Sequence, residues 1–323
     1  MDHSIDRRTF LSATAAATLT AGNAWAQTKQ TFFAGLVAAP PRPPGAPPLG
    51  QAPGQGRGGQ GGGRASQTNQ ERVEAFLRGM DDCARLGVHY IEKSNGPDPL
   101  VEFYKGREAD YHAELEKRNQ KLAGLANNCH AGRAELRQTM VDQNLRTARF
   151  VKAMGGKYIA LVLDPTEGSD GSGNEAAFRK LDFKVIAANV DEMARTAFEE
   201  TGIETGYHPE EGDSAAGLVD YLMDNTKHLR FFPDVGWMQM AGMDAVASCK
   251  KYYSRMNGMH MRDFAPPKEP GARGIVQLGQ GIIDLAGLMD FLKQQKFTGF
   301  VMGEGSGNQS NYDYMSGKLG LKF

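Results

Sequence analysis

The feature that most constrains this chain is a regular alternation of short apolar runs with amphipathic stretches. The short runs are typical of buried strands, and the longer stretches place apolar residues three and four positions apart, which predicts helices. Strands are predicted at 31–38, 88–92, 122–126, 158–164, 203–208, 229–234, 258–263 and 299–304. Helices are predicted at 71–86, 110–121, 133–154, 183–200, 215–226, 242–256 and 283–294.

This order of elements predicts an α/β fold with a parallel sheet, because parallel strands need helical crossovers between them. Eight strands with seven helices between them in about 270 residues match a (β/α)8 barrel, or TIM barrel. An open doubly wound sheet is the alternative. It is disfavoured because no Gly-x-Gly-x-x-Gly turn follows the first predicted strand.

Proline and glycine are concentrated between the first predicted strand and the first predicted helix. Residues 40–66 contain seven of the 15 prolines and nine of the 40 glycines. This stretch has too few apolar side chains to fold by itself. Because the barrel needs strand 31–38, we interpret 40–66 as a disordered insertion at the barrel mouth and 27–323 as one TIM-barrel domain.

The first 26 residues predict an export signal. The sequence RRTFL at 7–11 is followed by an alanine-rich apolar run and by the cleavage pattern AWA at 24–26. The paired arginines resemble a twin-arginine signal. This resemblance implies a periplasmic protein that is carried across the membrane, already folded, by the twin-arginine export machinery.

Charge and cysteine content disfavour several other classes of protein. The 37 basic and 38 acidic residues are balanced and form no basic stripe, which argues against nucleic acid as a partner. No apolar run reaches the roughly 18 residues that span a bilayer, so stable membrane insertion is not expected. Three widely spaced cysteines do not make a disulfide scaffold, and Cys83 is interpreted as a buried free thiol. A homo-oligomer remains open.

Carboxylates and imidazoles follow most of the predicted strands. In a TIM barrel the carboxyl ends of the strands carry the catalytic groups. The residues at these ends are Glu92, His130, Asp164, His208, Asp234, His260 and Glu304. Because such side chains bind divalent metals, a metal site is the leading hypothesis.

Four segments of the second half carry a family resemblance. They are GIETGYHPE at 202–210, PDVGWMQMAGMDAV at 233–246, MHMRD at 259–263 and LGQGIIDLAGLMDFLKQQKFTGFVMGE at 278–304. In order and spacing they resemble the xylose isomerase-like barrels of the sugar phosphate isomerase/epimerase family. The first half resembles that family only in its strand–helix count.

The resemblance implies a metal site in the second half. Asp234, His260 and Glu304 match the family's ligands, and His208 stands where members have a glutamate or a histidine. Two carboxylates with one or two imidazoles suit Mn²⁺, Mg²⁺, Co²⁺ or Zn²⁺.

The implied activity is that of a metal-dependent sugar isomerase or epimerase acting through an enediolate on a keto- or aldo-sugar. Glu304 is the first acid–base candidate. If His208 replaces a catalytic glutamate of the family, either His208 itself or Glu210 is expected to take part in proton transfer. A solvated loop position is the alternative for Glu210.

Three further residues are candidate contacts to a carbohydrate substrate. Trp237 stands where the family often has a histidine, and it is expected either to stack on a sugar ring or to pack in the core. Glu92 is expected to bind a sugar hydroxyl or to support the barrel rim. Arg262 is expected to hold an anionic group or to pair with neighbouring acids.

Two other functions remain open at this point. The same metal site in a sugar dehydratase or lyase could expel a leaving group from an oxidised glycoside. The departures at His208 and Trp237 also allow a non-catalytic periplasmic sugar-binding barrel.

Overall fold

A computed structural model describes residues 30–40, 68–93, 98–165, 174–267, 274–305 and 307–323. The predicted export signal at 1–26 and nearly all of the predicted insertion at 40–66 lie outside these described residues.

The described chain forms a nearly closed barrel of parallel strands. The barrel strands are β1 (Phe33–Val37), β2 (Tyr90–Lys93), β3 (Lys121–Cys129), β4 (Tyr158–Leu163), β5 (Glu204–Tyr207), β6 (Arg230–Phe231), β7 (Gly258–Met261) and β10 (Phe300–Gly303). The sheet has the order β6-β5-β4-β3-β2-β1-β10-β7, and two isolated parallel bridges, Phe231–Met256 and Asp234–His260, join its two edges. The predicted TIM barrel is confirmed.

The ladder explains why residues distant in sequence share one site. Strand β1 pairs with β2 on one side and with β10 on the other, so strands from opposite ends of the described chain lie side by side. A short antiparallel hairpin of β8 (Asp263–Phe264) and β9 (Ile275–Val276) projects after β7. Because all barrel strands run parallel, their carboxyl ends meet at one rim.

Helices surround the strands and close the outer core layer. They are α1 (Asn69–Arg85), α2 (Asp98–Phe103), α3 (Glu108–Lys117), α4 (Arg137–Ala153), α5 (Glu175–Phe178), α6 (Phe183–Thr201), α7 (Glu211–Ala215), α8 (Leu218–Asn225), α9 (Val235–Met240), α10 (Ala245–Lys251), α11 (Leu285–Gln294) and α12 (Asn308–Tyr312). Shorter turns are 3₁₀-helical at Ala134–Leu136 and Tyr253–Arg255, and residues Asp313–Lys318 form a π-helix. No helix in the described part of the chain is long and apolar enough to cross a membrane.

Helix α1 shows how the sequence sets these boundaries. The Thr68 side chain accepts a hydrogen bond from the Glu71 N–H, and the Glu71 carboxylate accepts one from the Thr68 N–H. This capping box satisfies two N–H groups that a helix start otherwise leaves unpaired. The stripe that includes Val73, Phe76 and Cys83 then faces the core, where Cys83 is a buried free thiol.

The barrel interior is filled by aromatic side chains below the rim. The Tyr158 ring lies 4.7 Å from the ring of Phe232 and 5.3 Å from that of Phe300. Gly258 makes room for them, since a Cβ at this position would lie 2.2 Å from the Phe232 ring. The lower barrel is therefore a packed floor, and the polar site stands on top of it.

The strands differ from the predicted ones chiefly in length. Strand β6 contains two residues where six were predicted, and β3 extends to Cys129. Directly after β6, Asp234 caps helix α9 by accepting hydrogen bonds from the N–H groups of Gly236 and Trp237. The short helices α2, α5, α7, α9 and α12 were not predicted.

Candidate metal centre

Four side chains converge at the carboxyl-terminal rim of the barrel. One nitrogen or oxygen atom from each lies within 4.8 Å of those from the other three: His208, Asp234, His260 and Glu304. His208 directly follows β5, Asp234 follows β6, His260 lies in β7 and Glu304 directly follows β10. Parallel pairing thus assembles a site from strands that are far apart in sequence.

The distances within the cluster are short. His260 Nδ1 lies 2.7 Å from His208 Nε2 and 2.7 Å from Glu304 Oε2. His208 Nε2 also lies 3.6 Å from Asp234 Oδ2. His208, Asp234 and His260 are at most 1% exposed, and Glu304 is 8% exposed. The group is therefore shielded from water on all sides except near Glu304.

This donor set fits a divalent metal ion. Ligands about 2.1 Å from one ion are about 3 to 3.5 Å apart in tetrahedral or octahedral geometry, so small side-chain shifts would open the 2.7 Å pairs. Two imidazole nitrogens and two carboxylate oxygens are ordinary ligands of Mn²⁺, Co²⁺ and Zn²⁺.

Arg262 fixes the two carboxylates of the cluster. Its Nε donates to Asp234 Oδ2 at 2.6 Å, and its Nη2 lies 2.6 Å from Glu304 Oε1. A guanidinium can span two acids in this way because its donors are held in a rigid plane. The second oxygen of Glu304 is thereby left facing His260.

A buried pair lies behind His260, on the side away from the other three cluster residues. His260 Nε2 lies 3.0 Å from each carboxylate oxygen of Glu92, and Tyr158 Oη donates to Glu92 Oε2 at 2.5 Å. Glu92 is 0% exposed. Its oxygens are engaged by His260, a candidate ligand, and by Tyr158.

Comparison with known proteins decides the family. A family model described as Xylose isomerase-like TIM barrel matches residues 68–315. The chain belongs to this family. No curated protein matches the chain.

Solved structures share the fold of this xylose isomerase-like barrel. A xylose isomerase-like TIM barrel protein from Mycobacterium smegmatis in complex with magnesium has a TM-score of 0.61 and 13% identity, covering 90% of this chain and 96% of that one. The apo 3-keto-D-glucoside 4-epimerase from E. coli has a TM-score of 0.56 and 16% identity, covering 76% and 94%. The probable 3-DHS dehydratase from Bacillus anthracis has a TM-score of 0.56 and 13% identity, covering 76% and 93%.

Neighbouring charges in the site of this xylose isomerase-like barrel shift the pKa values of Arg262 and Asp234. Burial lowers the pKa of Arg262, but the negative charges of Glu304, Asp234 and, to a smaller extent, Glu210 raise it above its usual range. Burial raises the pKa of Asp234, but Arg262 and His208 outweigh that effect and hold it below its ordinary value. Arg262 therefore stays charged and Asp234 stays a carboxylate.

The remaining predicted site residues lie in segments that follow barrel strands. Glu210 is fully buried at the start of α7, where its N–H donates to Asp213 Oδ1 at 2.7 Å. Trp237 is 4% exposed, and the Arg262 guanidinium lies 5.0 Å from its ring centroid. Arg262 thus lies over the Trp237 ring, which was expected either to stack on a sugar ring or to pack in the core. Half-buried His130 follows β3, and Asp164 follows β4.

Sequence reasoning missed Tyr158 because it opens an apolar strand and reads as packing. The available signal was a tyrosine in a predicted barrel strand. A buried tyrosine hydroxyl usually has a hydrogen-bond partner, so a polar partner inside the barrel could have been expected. The partner, Glu92, lies 66 residues earlier.

Proposed function

We propose that this protein is a metal-dependent sugar isomerase or epimerase. The observation that carries the proposal is the buried cluster of His208, Asp234, His260 and Glu304 at the carboxyl ends of four barrel strands. A polar cluster of this kind costs stability unless it is paired or binds a ligand, and it lies where barrels of this architecture carry their active sites.

The four cluster residues would hold the ion. When bound, a divalent cation would polarise a carbonyl and a neighbouring hydroxyl of a sugar. It would thereby favour loss of the proton on the hydroxyl-bearing carbon next to the carbonyl. A magnesium complex of a protein with the same fold supports this choice of cofactor class.

The chain's own residues supply the proton transfer and the geometry. Glu304 is the first acid–base candidate because it is the most exposed residue of the cluster. Glu210 is the second acid–base candidate. Its negative charge raises the pKa of Arg262, which indicates that Glu210 lies near the same rim. Arg262 holds Asp234 and Glu304 at fixed positions, and of the two roles expected from the sequence we favour this pairing with neighbouring acids over contact with an anionic group of the substrate. His208 would serve mainly as a ligand.

Metal analysis and a variant pair test the cluster. Protein purified without chelators is expected to contain about one divalent ion per chain. Asp234→Ala should lose it, whereas Asp244→Ala should keep it. Asp244 is a matched control because it caps the neighbouring helix α10 through the Ala247 N–H at 2.8 Å. Full metal content in Asp234→Ala would rule out the proposed site.

The reaction is tested by incubating keto- and aldo-sugars with the metal-loaded protein and analysing the products by NMR. Isomerised or epimerised sugar is the expected result. An eliminated product from an oxidised glycoside would instead establish a dehydratase or lyase at the same site, a chemistry that the probable dehydratase with this fold makes worth screening. Sugar binding without turnover would establish a binding barrel.

We also propose export to the periplasm through the twin-arginine machinery, on the strength of RRTFL at 7–11 and AWA at 24–26. Replacing Arg7 and Arg8 by lysine should retain the protein in the cytoplasm of a host with this machinery. Cell fractionation measures the outcome, and undiminished export of the double variant would contradict the proposal.

A further inference from the structure

We propose that Glu92 and Tyr158 are positioning residues that hold His260 with its Nδ1 turned toward the metal site. This inference rests on the proposed metal-dependent function. It adds two buried residues that orient one of the four candidate ligands, His260. Neither residue belongs to the cluster itself.

The contacts form a chain in one direction. Tyr158 Oη donates to Glu92 Oε2 at 2.5 Å, so Glu92 acts as the acceptor. Both oxygens of Glu92 lie 3.0 Å from His260 Nε2. A carboxylate can only accept there, which makes Nε2 the N–H donor and leaves Nδ1, on the opposite side of the ring, for the cluster.

The surroundings leave His260 little freedom to turn. The Phe232 ring lies 5.0 Å from the imidazole in an edge-on arrangement, and the His208 ring lies 4.6 Å away, also edge-on. A flipped imidazole would remove the N–H from Glu92 and leave a buried carboxylate with a single donor, Tyr158. That arrangement is costly at 0% exposure.

Burial, together with the engagement of both Glu92 oxygens by His260 and Tyr158, argues against direct contact of these two residues with the substrate. Glu92 is 0% exposed and Tyr158 is 1% exposed. The Tyr158 ring packs on Phe232 and Phe300 in the barrel floor. Their effect on function must therefore pass through His260, and it should appear first in metal affinity.

The pattern matches a general rule for metal sites. A histidine ligand usually donates its other N–H to a carboxylate or carbonyl, and loss of that partner typically lowers metal affinity about 10- to 100-fold. Glu92 also adds a negative charge beside His260, which Glu92→Gln would remove at nearly constant shape.

The experiment measures Co²⁺ affinity by chelator competition for wild type, Glu92→Gln and Tyr158→Phe. We expect Glu92→Gln to bind about 10- to 100-fold more weakly and Tyr158→Phe to fall between it and wild type. The visible absorption spectrum of bound Co²⁺ should shift in both variants, because a reoriented His260 changes the ligand field; a purely structural loss would leave that spectrum unchanged.

Tyr207→Phe is the matched control. Tyr207 is equally buried, and its hydroxyl donates to the buried carboxylate Asp213 at 2.8 Å, but neither residue contacts His260. It should retain wild-type Co²⁺ affinity and spectrum. If Glu92→Gln fails to fold, Tyr158→Phe still decides the question.

The outcomes separate the inference from the proposed function. If wild type binds Co²⁺ and the two variants match it in affinity and spectrum, the positioning role is overturned while the metal site stands. If wild type binds no divalent ion, the proposed function falls and the inference falls with it.

Discussion

His208 Nε2 lies 2.7 Å from His260 Nδ1, so two imidazole nitrogens face each other inside the barrel. Two lone pairs at this distance repel each other unless a proton or a cation lies between them. A proton on one ring relieves the repulsion in the metal-free protein, and a metal ion would do so in the loaded protein. Proton and metal therefore compete for one place.

Metal binding should accordingly release a proton near neutral pH. Burial lowers the pKa of His260, but the carboxylates of Glu92 and Glu304 outweigh it and raise the pKa to about 10. Metal needs the neutral ring, so apparent affinity should rise by up to about tenfold per pH unit and level off above the pKa. Calorimetry in buffers of different ionisation enthalpy counts the protons. Binding without proton release near neutral pH would contradict this competition.

The second imidazole should set the choice of metal. With His208 and His260 the cluster offers two nitrogen ligands, which favours Mn²⁺, Co²⁺ or Zn²⁺ over Mg²⁺ because Mg²⁺ prefers oxygen. In His208→Glu, the ratio of Mg²⁺ to Mn²⁺ affinity should increase at least about tenfold. Competition dialysis measures the ratio. His228→Glu, at an exposed position, is the control and should leave the ratio unchanged.

Strand periodicity was enough to predict the barrel and to place the cluster at one rim. Side chains after parallel strands must meet there, so sequence position grouped seven residues at one rim, and the family resemblance then selected His208, Asp234, His260 and Glu304 among them. The same rule put Glu92 at the rim, but it says nothing about depth. Glu92 is fully buried against His260 and Tyr158, and these neighbours are set by the pairing of strands rather than by its own strand.

The contacts of Glu92 and Tyr158 with each other and with His260 depend on the register of strand pairing. The local sequence does not determine that register. The β2–β3 pairing shifts between Ile91 and Glu92, which sets the position of Glu92 relative to the strands beside it. Tyr158 reaches Glu92 across β3 from strand β4. A pattern of apolar residues in β4 cannot reveal that contact, because it depends on two strand pairings at once.

Packing under the site should make Gly258 intolerant of a side chain. A Cβ there would lie 2.2 Å from the Phe232 ring, and the ring is held by Tyr158 and His260. Gly258→Ala should lower the free energy of unfolding by about 1 to 3 kcal/mol. Gly317→Ala is the control, since nothing lies within 4 Å of its added Cβ. Urea unfolding measures the stability of both variants. Equal stabilities would show that the aromatic side chains around Gly258 move to accept the added methyl group.

The cysteines should be unreactive in the native protein. Cys83, Cys129 and Cys249 are free and buried, and burial raises the pKa of Cys83 and of Cys249 to about 12. The reactive form of a thiol is the thiolate, so near neutral pH each group is both inaccessible and almost fully protonated. Ellman's reagent should therefore react at a rate set by unfolding, and all three thiols should react at once in denaturant. A cysteine that reacts immediately in folded protein would show that its part of the core opens without global unfolding.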